Sequence, residues 1–181
     1  PGGGVGERRL IRKSQPLRDW DFLFEAAGPG STYVFSPQAH RSLVGVLARL
    51  DYSQIGVHDW YVYALARAIG LTWVIGEETT LEYRQHGGNV QGANSGAGAR
   101  DARMEKLRNG FYRDQFIRTG RAAQAVGTFD APRRIELAAI LRELEADGQW
   151  ARLRFALRWS QIRRDRLEGL KLAAARVLRV W

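Results

Sequence analysis

Alternating apolar and polar residues predict three short strands in the first half of the chain. The segments STYVFS (31–36), LTWVIG (71–76) and TTLEYRQ (79–85) are rich in β-branched and aromatic residues, which favour strands. Strands that alternate with helices are typical of a mixed α/β fold. We therefore expect an α/β structure over about residues 1–86.

Two helices are predicted between these strands. Ser36 and Pro37 are typical of a helix N-cap and first turn, so the first helix is predicted to run from there to about Leu50. The second is predicted to begin at His58 and to end at Gly70. Its apolar residues lie nearly all round the helix, which indicates burial.

Helical periodicity dominates the second half of the chain. It follows a segment, residues 87–99, that contains five glycines and is expected to be a mobile loop. The predicted helices lie at about 100–119, 131–147, 150–158 and 160–180. The chain is thus predicted to have two regions, an α/β part over residues 1–98 and a helical extension over residues 99–181.

The amino-acid composition limits which classes of protein and which kinds of site are possible. The chain has 181 residues, 45% of them hydrophobic, with six tryptophans and no cysteine. This predicts a folded globular chain without disulfides or thiolate metal sites. No apolar run is long enough to span a bilayer, and the N-terminus has no signal-peptide core. We expect a cytoplasmic protein.

The positive charge is concentrated at the C-terminal end. Residues 150–181 contain nine Lys or Arg and two Asp or Glu, a net charge of +7 out of +9 for the whole chain. The nearly neutral main body does not favour nucleic acid as a partner.

The C-terminal segment 160–181 predicts a basic amphipathic helix ending in a tryptophan. Such a helix suits the anionic inner leaflet of a membrane. The alternative is a helix that packs against its neighbours or a partner, with a solvated basic face. The residues predicted to share its apolar face are Leu167, Leu170, Ala174, Val177, Leu178 and Trp181.

Three motifs in this order carry a family resemblance: GPGSTYVFS, HDWYVYALARAIG and EYRQHGGNVQGA. Over about residues 7–95 the chain resembles the C-terminal half of bacterial family 2 glycosyltransferases, particularly rhamnosyltransferase-like members. The resemblance implies a partial GT-A fold, a Rossmann-like mixed sheet. It also implies transfer of a sugar from a nucleotide-diphosphate donor to a glycan or lipid-linked acceptor, with Mg or Mn as divalent metal in the complete enzyme.

The chain also departs from that family's pattern. No Asp-x-Asp metal motif precedes the matching segments; Asp19-Trp20-Asp21 has the right letters but lies downstream of the family's motif, and we interpret it as coincidence. The chain is therefore expected to be the acceptor-side portion, inactive by itself and weak in nucleotide binding.

The resemblance assigns Asp59 as the general base that accepts the proton of the acceptor hydroxyl. The alternative is an acidic residue that only stabilises a helix N-terminus. His58 would orient the base, and Trp60 would either line the sugar site or lie in the core. Gly30, Ser31 and Thr32 would line the pocket beneath donor and acceptor, or form an ordinary turn.

Two further residues are assigned to the donor. Arg84 would bind the diphosphate with its planar guanidinium, and His86 would complete the metal shell. The alternative is a surface strand end with Arg84 paired to Glu82 or Glu78.

The chain is therefore predicted to belong to a family 2 glycosyltransferase that acts in surface polysaccharide synthesis. The resemblance implies that the transfer inverts the configuration of the sugar. The alternative is a non-catalytic basic helical module that docks on a membrane surface or a partner protein.

Overall fold

The computed structural model describes residues 12–78 and 97–181, which fold into an all-helical structure. No strand forms within these two ranges, so the predicted α/β fold with a GT-A half-domain is wrong. Two 3-10 turns, Asp21–Leu23 and Gly30–Thr32, precede the first helix. The helices are α1 (Pro37–Leu47), α2 (His58–Ala68), α3 (Ala97–Arg108), α4 (Phe111–Val126), α5 (Ala131–Glu145), α6 (Gln149–Ala156) and α7 (Arg166–Val177).

Irregular backbone replaces the two predicted strands that fall inside the described residues. Their side chains do alternate: Val34 and Val74 are exposed, whereas Tyr33 and Trp73 face inward with their ring centroids 4.9 Å apart. A strand also needs a hydrogen-bonded neighbour, and neither segment has one in the described chain. The third predicted strand, 79–85, lies outside the described residues, as does most of the predicted glycine-rich loop.

Local signals set several helix ends, of which those at Ser36, Asp130 and Gly70 were predicted and that at Asp165 was not. The side chains of Ser36, Asp130 and Asp165 each accept a hydrogen bond from the backbone amide three residues further on, at 2.9–3.2 Å. Such caps satisfy amides that have no partner within the helix. Gly70 ends α2 with a φ of 80°, a conformation that favours glycine.

Two predicted helices have different limits. The helix predicted over 100–119 is interrupted because Gly110, with a φ of 79°, separates α3 from α4. The helix predicted over 160–180 begins only at Arg166. The irregular residues before it enter the core, where Ile162 and Arg164 are buried.

Aromatic side chains from both halves of the chain form the core. Phe24 packs against Phe116 and Phe155, with ring centroids 4.9 and 5.6 Å apart, and Trp60 packs against Phe116 at 5.3 Å. These contacts join residues before and after position 98, where the sequence predicts a division into two regions. That division stays a prediction. Among the described helices, none has the length and apolar character needed to cross a membrane.

A buried network of charges lies within this core. The Asp21 carboxylate is fully buried and accepts hydrogen bonds from Tyr63 Oη at 2.9 Å, Arg67 Nη1 at 3.2 Å and Arg164 Nη1 at 3.3 Å. Arg164 also donates its backbone N–H and Nη2 to Glu25 at 2.6 and 3.1 Å. Burial raises the pKa of the Asp21 carboxyl, whereas the two guanidiniums and the Tyr63 hydroxyl oppose that shift.

A second buried guanidinium closes the end of α5. Arg176 donates to the backbone oxygens of Glu143, Leu144 and Ala146 at 2.6–3.2 Å, and to that of Trp181 at 3.0 Å. A cation at a helix C-terminus is favoured by the helix dipole and by unpaired carbonyls. Arg176 and Trp181 are both buried, so Trp181 does not lie on the exposed apolar face with Leu167 and Leu170, where the sequence predicted it.

Replacing Arg164 with Met is expected to lower the free energy of unfolding by about 3–5 kcal/mol, because it leaves the buried Asp21 and Glu25 carboxylates short of a cation. The control is Arg166→Met, the same change at an exposed position two residues away, expected to cost less than about 1 kcal/mol. Urea unfolding followed by circular dichroism measures both. Equal losses would contradict a structural role for the network.

Stability is expected to fall as pH rises through the alkaline range. Burial, with a smaller contribution from the Asp59 carboxylate, raises the pKa of Tyr33 to about 12 from its ordinary value of 10.0. Between those values the unfolded chain loses this proton and the folded chain keeps it, so unfolding becomes more favourable. Burial also raises the pKa of Tyr63.

The variant Tyr33→Phe is therefore expected to reduce the slope of unfolding free energy against pH over that range. Tyr52→Phe, which changes an exposed tyrosine, should leave the slope unchanged. Urea titrations at several alkaline pH values would give both slopes, and an unaltered slope in Tyr33→Phe would count against its part in alkaline unfolding.

Candidate functional site

Two of the predicted motifs meet in the structure. The turn Gly30–Thr32 packs against the first turn of α2, where Asp59 lies. A Cβ atom placed on Gly30 would lie 3.0 Å from Asp59 Oδ1 and 3.1 Å from its Cγ. The carboxylate of Asp59 therefore lies directly against the backbone of Gly30, and the close approach uses the missing side chain.

Hydrogen bonds within the turn fix its shape. Thr32 donates its backbone N–H and its hydroxyl to the carbonyl oxygen of Pro29 at 3.0 and 2.7 Å. The hydroxyl of Tyr33 reaches back to the carbonyl oxygen of Gly28 at 3.0 Å. The side chains of Ser31 and Thr32 are exposed at the surface of this turn. The turn thus offers a defined backbone and two accessible hydroxyl-bearing residues beside Asp59.

Asp59 does not act as a side-chain cap of α2. The N-cap residue is Val57, and no side chain makes a cap hydrogen bond there. Asp59 occupies the first turn, where the helix dipole favours an anion. The predicted alternative, stabilisation of the helix N-terminus, therefore applies through the dipole and not through a capping hydrogen bond. No protein group in the described part of the chain donates a hydrogen bond to Oδ1 of Asp59. Oδ1 itself is buried, and the 25% of the side-chain surface that is exposed belongs to the other atoms of Asp59.

His58 is the nearest charged neighbour of Asp59. Its exposed imidazole places Nε2 2.5 Å from Asp59 Oδ1, an ion pair when the imidazole is protonated. Oδ1 of Asp59 makes no hydrogen bond to this imidazole. His58 thus lies next to Asp59, and its orienting role stays a prediction.

Trp60 lies in the core, the second of its two predicted placements. It is buried, and its indole N–H donates to the carbonyl oxygen of Phe22 at 2.8 Å. This bond ties the first turn of α2 to the turn Asp21–Leu23. Trp60 therefore helps to hold the helical turn that carries Asp59.

The donor side of the predicted site cannot be placed. Arg84 and His86 lie outside the described residues, as does Glu82, the predicted alternative partner of Arg84. Within the described ranges, no group of three or more His, Asp or Glu side chains is arranged to hold a metal ion. The described residues by themselves do not fit a divalent metal, although the resemblance implies one.

Sequence reasoning missed the residues that support the site. Tyr63 and Arg67 follow Asp59 by one and two helical turns and anchor α2 to the buried Asp21. Asp21 belongs to the Asp19-Trp20-Asp21 triplet, which we interpreted from the sequence only as a coincidental match to a metal motif. The aromatic residues around Asp21 were a usable signal, because an acid within such a cluster is often buried and paired.

Comparison with known proteins gives one relevant similarity. The chain is 34% identical over 119 residues to a protein named dTDP-rhamnosyl transferase RfbG from Shigella flexneri. The aligned region covers 65% of this chain and 41% of that relative, so the chain spans about two fifths of the relative's length. No protein-family model matches the chain, and no solved structure matches it. The comparison supports a relationship to a glycosyltransferase, as predicted.

Proposed function

We propose that this chain is the acceptor-side part of a glycosyltransferase in polysaccharide synthesis. The enzyme would move a sugar, with rhamnose as the candidate, from a nucleotide-diphosphate donor to a hydroxyl of a glycan or lipid-linked acceptor. Support comes from the similarity to a dTDP-rhamnosyl transferase and from the three motifs that resemble family 2 glycosyltransferases. The inverting stereochemistry, the family 2 assignment and the donor sugar are all parts of this proposal.

The observation that carries the proposal is the position of Asp59. Its carboxylate lies against Gly30, and its Oδ1 has no hydrogen-bond donor within the described chain. A buried oxygen without a donor is costly in a structural site. The Asp59 side chain as a whole is still 25% exposed, so an incoming acceptor hydroxyl can reach the exposed part of the carboxylate and give it the proton.

The proposed reaction transfers one proton and one glycosyl group. Asp59 accepts the proton of the acceptor hydroxyl as its oxygen forms a bond to the anomeric carbon of the donor sugar. The bond from that carbon to the diphosphate breaks, and its electron pair leaves with the nucleoside diphosphate. The product is a new glycosidic bond, and the proton stays on Asp59 until solvent removes it.

Neighbouring groups would position the two reactants. The backbone of Gly30 and the imidazole of His58 both lie beside Oδ1 of Asp59. Ser31 and Thr32 are exposed at the turn and would contact sugar hydroxyls. Orientation of this kind supplies a large part of the rate in group-transfer enzymes.

The donor contacts remain expectations from the resemblance. Arg84 would bind the diphosphate, His86 would be a ligand of Mg or Mn, and the metal would stabilise the charge on the leaving group when bound. The described residues do not form that metal site, so no step above depends on it. We also propose that the enzyme acts at the inner face of the bacterial plasma membrane, where a lipid-linked acceptor would be found.

Replacing Asp59 with Asn is expected to lower kcat by about 10²–10⁴-fold, because the amide cannot accept the proton. Turnover is measured as release of nucleoside diphosphate from dTDP-rhamnose by the transferase that contains this chain. Asp101→Asn, at an exposed position on α3, is the control and should be active. If the two variants turn over equally fast, Asp59 is not the base.

Replacing Gly30 with Ala is expected to lower kcat about tenfold or more by displacing the Asp59 carboxylate, since small displacements of reacting groups are costly. Gly28→Ala is the matched control, because its new Cβ would make only an ordinary 3.6 Å contact with Thr32 Oγ1. Neither glycine has a positive φ, so the backbone tolerates both changes. Equal activity of the two variants would show that the contact between Gly30 and Asp59 does not matter for turnover.

A further inference from the structure

One face of α7 is apolar and open to solvent. Leu167 is 59% exposed, Leu170 51% and Leu178 73%, and Ala174 and Val177 are exposed between them. Spacings of three and four residues place these side chains in one row along the helix. Apolar residues scattered singly over a surface are ordinary, but a row of five on one helix indicates an interaction surface.

The packing of α7 prevents this row from turning inward. On the opposite face, a Cβ atom on Gly169 would lie 2.2 Å from the carbonyl oxygen of Trp159, so only glycine allows the helix to approach so closely. Arg176, on the same side, is buried with its guanidinium bound to backbone oxygens. Rotation of α7 would break both contacts, so its leucine row must face outward.

Helix α6, which packs against α7, has a second exposed apolar row. Trp150, Leu153 and Leu157 are exposed and lie on one face of α6 by their spacing. Arg152 and Phe155 are buried on the other face. Two neighbouring helices therefore each leave an apolar face unpartnered.

Basic side chains accompany these rows. Arg154, Arg166, Lys171 and Arg179 are exposed on α6 and α7 or directly after α7. Glu168 is exposed too and pairs with Lys171 at 2.8 Å, and the α7 N-cap Asp165 is also exposed, so the four cations and two anions leave a net charge of +2. An exposed apolar face among cations complements a surface that is both apolar and anionic.

Arg179 is a second, independent indication. It follows the last turn of α7 with a φ of 59°, and Val180 N–H bonds to the carbonyl oxygen of Ala175 at 2.9 Å. Glycine is the residue most favoured at this point of the helix-ending motif. Arginine is disfavoured in this backbone conformation, so its presence at position 179 suggests that its positive charge has a function.

We propose that the exposed faces of α6 and α7 bind the surface of an anionic lipid bilayer. No described helix can cross a membrane, so α7 would lie in the plane of the interface with its leucines among the acyl chains and its cations at the headgroups. A second copy of the chain is a poorer occupant, because it would bring cations against cations. The link to a lipid-linked acceptor rests on the proposed function, but the surface itself does not.

The test is cosedimentation of the full chain with vesicles of phosphatidylcholine alone or mixed with phosphatidylglycerol, without any nucleotide-sugar. We expect binding to the anionic vesicles that weakens as salt is raised. Leu170→Glu should lower the affinity about tenfold or more. Val44→Glu, at a position on α1 that is 50% exposed against 51% for Leu170, is the matched control and should bind normally.

Arg179→Gly gives a test that a folding defect cannot imitate. It should keep or increase the free energy of unfolding, because glycine suits the positive φ, and should lower the affinity for anionic vesicles about fivefold.

Absence of binding, equal binding to both vesicle types, or equal effects of Leu170→Glu and Val44→Glu would overturn the proposal. Self-association in light scattering that Leu170→Glu abolishes would overturn it in favour of a second copy. Because no sugar transfer is measured, these outcomes are independent of the result for Asp59→Asn.

Discussion

The fully buried carboxylate of Asp21 constrains the arrangement of three distant segments. An ion in a dry interior costs several kcal/mol unless cations and hydrogen bonds compensate it. Compensation comes from Tyr63 and Arg67 on α2 and from Arg164 in the irregular segment before α7. Arg164 in turn holds Glu25. The Asp21 carboxylate receives these donors only when the turn Asp21–Leu23, α2 and the segment before α7 come together, so the network selects one packing of the core among many apolar alternatives.

The candidate site depends on this constraint through α2. Tyr63 lies one helical turn beyond Asp59. Because an α-helix has a regular rise of about 1.5 Å per residue, fixing Tyr63 also fixes the position of Asp59. Trp60 adds a bond to the carbonyl oxygen of Phe22 at 2.8 Å. The first turn of α2 is therefore fixed from two sides, which keeps Asp59 so close to Gly30 that a Cβ atom there would lie 3.0 Å from Oδ1. A carboxylate on a rigid, internally anchored helix can be placed with the accuracy that proton transfer requires.

Local signals in the sequence predict the helices well, and contacts between distant residues explain what it fails to predict. Ser36, Asp130 and Gly70 act within a few residues of themselves, so the helix ends they mark could be predicted. The side chains around Val34 and Val74 do alternate between exposed and inward-facing positions. This alternation shows only which side chains face inward. A sheet also needs a neighbouring strand, and the described residues offer aromatic packing in its place. The pairing of Asp21 with Arg164 spans 143 residues and leaves no local pattern. The meeting of the Gly30 turn with Asp59 was expected only because the family resemblance places both motifs at one pocket.

The same cost of burying charge explains why α7 exposes leucines. The helix carries two apolar sets, and its periodicity alone does not say which set packs inward. Burying the face with Leu172 and Ala173 also buries Arg176, whose guanidinium can be satisfied there because the carbonyls at the end of α5 have no partners within their own helix. Gly169 on that face permits close approach to the backbone of Trp159. The exposed leucine row is thus the face left over once the polar groups are satisfied. In water this exposure is unfavourable by roughly 25 cal/mol per Å² of apolar area, and contact with lipid acyl chains would remove that cost without disturbing the buried arginine.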